Sequence, residues 1–91
     1  MTTEQNAESI EQELLAFLEE RIGDPVSPTQ ELFASGLASS MFAMELVVHL
    51  EKTYGIAIVG SDLKLDNFRT VRIMTELVGR LRATSAVVGG D

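Results

Sequence analysis

Two adjacent serines, Ser39 and Ser40, stand at the head of an apolar run, and no other side chains in the sequence are better placed for chemistry. A hydroxyl can act as a nucleophile when a base activates it. The one histidine, His49, falls nine positions after Ser40. On a single helix that spacing puts the two on opposite faces, roughly 13 Å apart along the axis. They cannot form the hydrogen-bonded pair that hydrolysis requires. Metal chemistry has no better footing. The chain has no Cys and a single His, and Asp62 and Asp66 stand outside any EF-hand pattern. There is also no glycine-rich phosphate loop. No catalytic residue and no metal ligand is expected. What remains is attachment: a covalently bound anion at Ser40 would sit in the favourable field of a helix N-terminus. The simpler alternative is that a serine there only caps the helix.

The elements that must position Ser40 follow from periodicity. From Ser40 to Tyr54 the apolar residues fall on two stripes. Ala43, Leu46, Val47, Leu50 and Tyr54 form a core face. Met41, Met44 and Val48 form a second, roughly opposite face, as expected of a helix that meets a partner. A first helix is predicted over 8–22 from Ile10, Leu14, Phe17, Leu18 and Ile22. Ser9 with Gln12 would make its capping box, with Asn6 as a rival start, and Gly23 ends it. Residues 24–39, carrying Pro25 and Pro28, form a long connection packed by Leu32, Phe33 and Leu37, with a short helical turn over 28–33. Gly36 supplies backbone freedom before the second helix. Residues 56–59 could read as a strand, but with no second strand to pair they are expected as an extended segment plugging the core. A turn over 60–62 and a short helix within 63–68, anchored by Leu65 and Phe68, lead to a last helix over 71–82. Thr70 caps that helix, and Arg80 and Arg82 complement its C-terminal dipole.

Leu32-Phe33, Gly36-Leu37, Ser40, Glu45-Leu46, Leu50-Glu51 and Tyr54-Gly55-Ile56, taken with their spacing, resemble the acyl carrier protein family. The resemblance covers about 8–82. It implies an all-α, small four-helix bundle (three main helices plus a short third) that is not an enzyme. It also implies 4'-phosphopantetheine carried covalently on Ser40. Ser39 stands where the family usually has Asp, and Met41 where it often has Leu. Ser40 is preferred over Ser39 because it keeps the family's spacing to Gly36 and to Glu45-Leu46. By the same resemblance partner enzymes grip Met41, Met44, Glu45, Val48 and Glu51. Phe42, where an acidic or small residue is common, either shapes partner choice or simply packs. The Ser39–Leu46 pattern is similar to discrete carriers of polyketide and antibiotic biosynthesis that hold a glycerate-derived unit as it becomes an alkoxymalonyl or hydroxymalonyl extender. Implied partners are a phosphopantetheinyl transferase, an acyl-loading enzyme, dehydrogenases, a methyltransferase and a polyketide synthase acyltransferase. An aminoacyl or D-alanyl carrier, or an unmodified helical adaptor, are the alternatives.

Composition sets the outer bounds. Ninety-one residues, 45% hydrophobic and 23% charged, suit one small domain: a flexible start at 1–7, a carrier domain over 8–82 and a flexible tail at 83–91. Four Phe and one Tyr leave a mostly aliphatic core. The net charge of −7, from 14 acidic against 7 basic residues, argues against nucleic acid and for basic patches on partner proteins. No apolar run spans a bilayer. The polar N-terminus is unlike a signal peptide, so a cytoplasmic monomer is expected.

Overall fold

The computed structural model describes residues 6–89. Among these there are three helices, α1 (Ala7–Ile22), α2 (Ser40–Tyr54) and α3 (Val71–Gly89), two 3₁₀ turns (Gly60–Asp62 and Leu65–Phe68), and no strand. The fold is therefore the expected all-helical bundle.

α1 starts at the rival position. Asn6, in extended conformation, accepts the Ser9 N–H on its Oδ1 at 2.8 Å. That cap moves the start one residue ahead of the predicted 8 and makes Ser9 a donor rather than the cap. Gly23, at φ 86°, closes the helix by donating to Glu19 O. Ile10, Leu14 and Leu18 point inward at i, i+4 and i+8 and are buried, while Phe17 and Ile22 are only partly so. This face packs chiefly on α3, through Val71, Met74, Leu77 and Val78.

The 24–39 connection contains turns but not the helical turn expected over 28–33. Its backbone groups are spent elsewhere. Leu32 N–H donates to Arg69 O at 2.8 Å, and Pro28 O accepts from Arg72 N–H at 2.9 Å. These bonds tie the loop across the entry to α3 and compete with local helix closure. Leu32 and Val26 plug the core beneath it, and Glu19 accepts the Val26 N–H at 3.0 Å. An Arg69–Glu31 fork, at 2.6 and 3.1 Å, adds an exposed ion pair to the same junction.

Residues 56–59 form no regular secondary structure, with Ile56 and Ile58 buried, Ala57 and Val59 exposed, and Val59 in extended conformation. Glu51 holds this segment by accepting the Ile58 N–H at 2.8 Å. Phe68 is buried as expected, but Leu65 is 46% exposed and anchors nothing in the core. Thr70 caps α3 through Ile73 N–H at 3.0 Å. α3 continues past Arg82 to Gly89, because nothing between them breaks a helix before the Gly89-Gly90 pair. Arg80 and Arg82 therefore lie within the helix rather than in its last turn, and Arg80 instead pairs with Asp62 at 2.9 Å. Of the flexible ends expected at 1–7 and 83–91, residue 7 and residues 83–89 are helical instead, and 1–5 and 90–91 lie outside the described residues. Among the described residues no helix is long and apolar enough to cross a membrane.

Candidate functional site

The start of α2 separates two serines that sequence treats alike. Gly36, at φ 84°, turns the chain in the left-handed region, where a side chain would be strained. Leu37 and Ala38 then pack against the core. They deliver Ser39 in extended conformation, and its Oγ accepts the Phe42 N–H at 3.3 Å. Ser39 is thus the cap. Ser40 is the first helical residue, exposed, and no hydrogen bond of its hydroxyl is found among the described residues. Its oxygen is left open to solvent at the positive end of the helix dipole.

Beside Ser40 lies a groove of about 220 Å³ between α2 and the 60–68 segment. Ala43, Val47 and Phe68 form its base, Leu63 and Leu65 its far rim, and Lys64 is its one charged lining residue. Sequence reasoning missed Leu63 and Lys64 altogether and assigned Leu65 to the core. All three are exposed at the junction between the two 3₁₀ turns, and no local pattern announces that. The groove suits an extended apolar chain leaving Ser40, and the Lys64 ammonium suits an anion at its head.

The second stripe of α2 is on the surface: Met41 is 82% exposed, Met44 61% and Val48 50%. The five residues predicted for its inner face are the five that are buried. The acids beside the stripe are both engaged. Glu45 is ion-paired with Arg21 of α1, and Glu51 holds Ile58 N–H. Tyr54, buried at the other end of the helix, donates to Glu13 Oε1 at 2.7 Å. Burial first, and the Glu13 carboxylate second, push its phenol well above the ordinary range.

His49 is half-buried on α2 and stacks on Phe17 of α1, with ring centroids 3.7 Å apart and planes 10° from parallel. Burial, and next the Arg21 charge, hold its imidazole below its usual pKa. Its Nδ1 lies 3.4 Å from Thr53 Oγ1, so it faces away from Ser40 and cannot activate it. Phe42 is partly buried and stacks at 6.4 Å on Phe17, so it packs against the bundle. Among the described residues no cluster of His, Asp or Glu could hold a metal ion.

Comparison with known proteins gives this geometry its context. Residues 12–78 match the family model described as a phosphopantetheine attachment site. The chain is also 28% identical over 75 residues to D-alanyl carrier proteins from two strains of Lactobacillus delbrueckii subsp. bulgaricus, a likeness covering 80% of this chain and 94% of each relative. A family whose cofactor is covalently held phosphopantetheine needs an accessible anchoring hydroxyl and a helical frame, and no catalytic constellation. With the model spanning most of the chain, the protein belongs to the phosphopantetheine-binding carrier family, and it is a carrier rather than an enzyme.

Proposed function

We propose that Ser40 Oγ is the attachment point of 4'-phosphopantetheine, and that the chain carries a glycerate-derived acyl unit of the alkoxymalonyl type for polyketide assembly. The observation that carries the attachment is the division of labour at the start of α2, where Ser39 Oγ is used as the cap and Ser40 Oγ is exposed and unbonded. When bound, the group supplies a thiol that holds an acyl unit as a thioester. The protein's own part is physical. The first turn of α2 and Lys64 stabilise negative charge beside Ser40. The groove between Ala43 and Leu65 gives an apolar rest next to it. Met41, Met44 and Val48 offer an exposed apolar face to the enzymes that act on the cargo. Carrier proteins meet a phosphopantetheinyl transferase and a loading enzyme; dehydrogenases and a polyketide synthase acyltransferase complete this reading.

Its support is the sequence pattern from Ser39 to Leu46. The likeness to D-alanyl carrier proteins favours a second reading, in which the cargo is an aminoacyl unit. Co-expression with a phosphopantetheinyl transferase followed by intact-mass measurement tests the attachment. One added arm is expected, lost in Ser40→Ala and kept in Ser39→Ala; the reverse pattern would move the site, and no gain in the parent chain would defeat the reading. Offering the modified chain a glyceryl-loading enzyme and, separately, a D-alanine-activating enzyme then decides the cargo by which one acylates it.

A further inference from the structure

Ser40 itself lines the groove of about 220 Å³, so an arm rooted on its oxygen starts inside that groove. A larger groove on the other flank of α2, about 690 Å³ and floored by the stacked Phe17 and His49 rings, does not include Ser40. The smaller groove is electrostatically one-sided. Its lining is apolar but for Ser40 and Lys64 and holds no carboxylate, in a chain with 14 acidic residues against 7 basic. The backbone fixes Lys64 at this place. Its N–H donates to Asp62 O at 3.0 Å, and its carbonyl accepts the Asn67 N–H at 3.0 Å. The Asn67 side chain closes the same turn by donating to Asp62 O at 2.7 Å. Neither acid near it in sequence pairs with Lys64. Asp62 is held by Arg80 of α3 at 2.9 Å, and Asp66 stands outside the lining. Lys64 forms no ion pair among the described residues. An ammonium placed so beside an apolar wall attracts an anion that reaches it and repels a cation.

We infer that Lys64 selects the cargo by charge: an acyl unit ending in a carboxylate folds back along Ala43, Val47 and Phe68 to pair with the Lys64 ammonium, and one ending in an ammonium is turned out into water. This selection rests on attachment at Ser40 and sets the substrate class of that same site. The arm makes the contact intramolecular, with an effective concentration on the order of millimolar, so a weak ion pair is enough to bias where the cargo rests. The bias is that of one exposed ion pair, roughly two- to fivefold in groove occupancy. It shrinks as salt is raised. A carboxylated cargo is favoured over an aminoacyl one.

The test attaches three arms of nearly equal length to the ¹⁵N-labelled chain, using a phosphopantetheinyl transferase and coenzyme A thioesters. Malonyl, butyryl and β-alanyl units end in a carboxylate, a methyl and an ammonium. Intact mass is read first: absence of loading would overturn attachment at Ser40 and the selection together, before any spectrum is compared. Relative to the chain with an unacylated arm, malonyl should shift the amides of Val47, Leu63 and Phe68 roughly two- to fivefold more than butyryl, and β-alanyl should shift them least. Lys64→Gln, a surface change, should bring malonyl down to the butyryl level, and Lys64→Glu should put β-alanyl ahead of malonyl. Equal shifts from all three loaded cargoes, or a malonyl response that Lys64→Gln leaves intact, would overturn the selection while attachment stands. An equal effect of Lys64→Gln on the unacylated arm would assign the lysine to the phosphodiester and overturn the selection as well.

Discussion

The two faces of α2 share one helix and nearly one composition, yet they have opposite fates. Ala43, Leu46, Val47, Leu50 and Tyr54 are buried; Met41, Met44 and Val48 are exposed. Hydrophobicity does not separate them, because leucine and valine sit inside while methionine and valine sit outside. What separates them is the angular position each takes once α1, α3 and the Leu65–Phe68 turn cover one side only. A helix with two apolar stripes in a bundle this small has one side too many, and the surplus stripe is left facing water. Within a single turn the same contrast recurs in miniature: Ser39 Oγ is spent on the helix, and Ser40 is exposed.

That contrast can be broken at several points. The largest effect is expected at Ser40, where Ala should abolish the mass gain from a phosphopantetheinyl transferase while leaving the circular dichroism of the chain unchanged. Next come the two faces themselves. Leu46→Ala or Leu50→Ala should cost about 2–5 kcal/mol in denaturant unfolding, as buried Leu truncations do. Met44→Ala should stay within about 0.5 kcal/mol, as exposed changes do. Equal losses on both faces would mean that the outer stripe is buried in solution by something absent here. Ser39→Ala should lower stability by about 1 kcal/mol through the lost cap and leave modification intact, which sharpens the distinction between the two serines.

The smallest effects are those of pH. Tyr54 is held protonated by burial and Glu13. An unfolded chain releases that proton above its ordinary pKa near 10, so this contribution is full below about pH 10 and declines as pH rises beyond it. Tyr54→Phe should flatten the alkaline limb of a thermal-melt series. His49 has its pKa lowered by burial and Arg21. The unfolded chain gains the proton first as pH falls through about 6.5, so stability should dip slightly on the acid side of neutrality. His49→Gln should remove that dip; if the dip stays, the carboxylates are responsible.

Much of the architecture was legible beforehand because helical periodicity is a local property. The inner face of α2, the Thr70 cap, the Gly23 stop and the unpaired segment at 56–59 all follow from residues near in sequence. The misses share one cause. The loop over 28–33 does not close a helical turn because Arg69 and Arg72, far along the chain, take its peptide groups. Leu65 and Phe68 share a face of their 3₁₀ turn, but only Phe68 lies deep enough to be covered, and Leu65 is left on the rim of the groove beside Ser40. Phe17, read as plain core, became the floor of a groove only when α2 set His49 against it.

The amino-acid order alone determined which helix would be two-sided, where it would begin, and that a serine would stand at its head with no base near it. Only the tertiary structure decided which carboxylates are already engaged and which side chains line the groove beside Ser40. Spacing along a chain sets the angle at which a side chain leaves its own helix. Whether that direction meets protein or water depends on elements that arrive from elsewhere in the sequence.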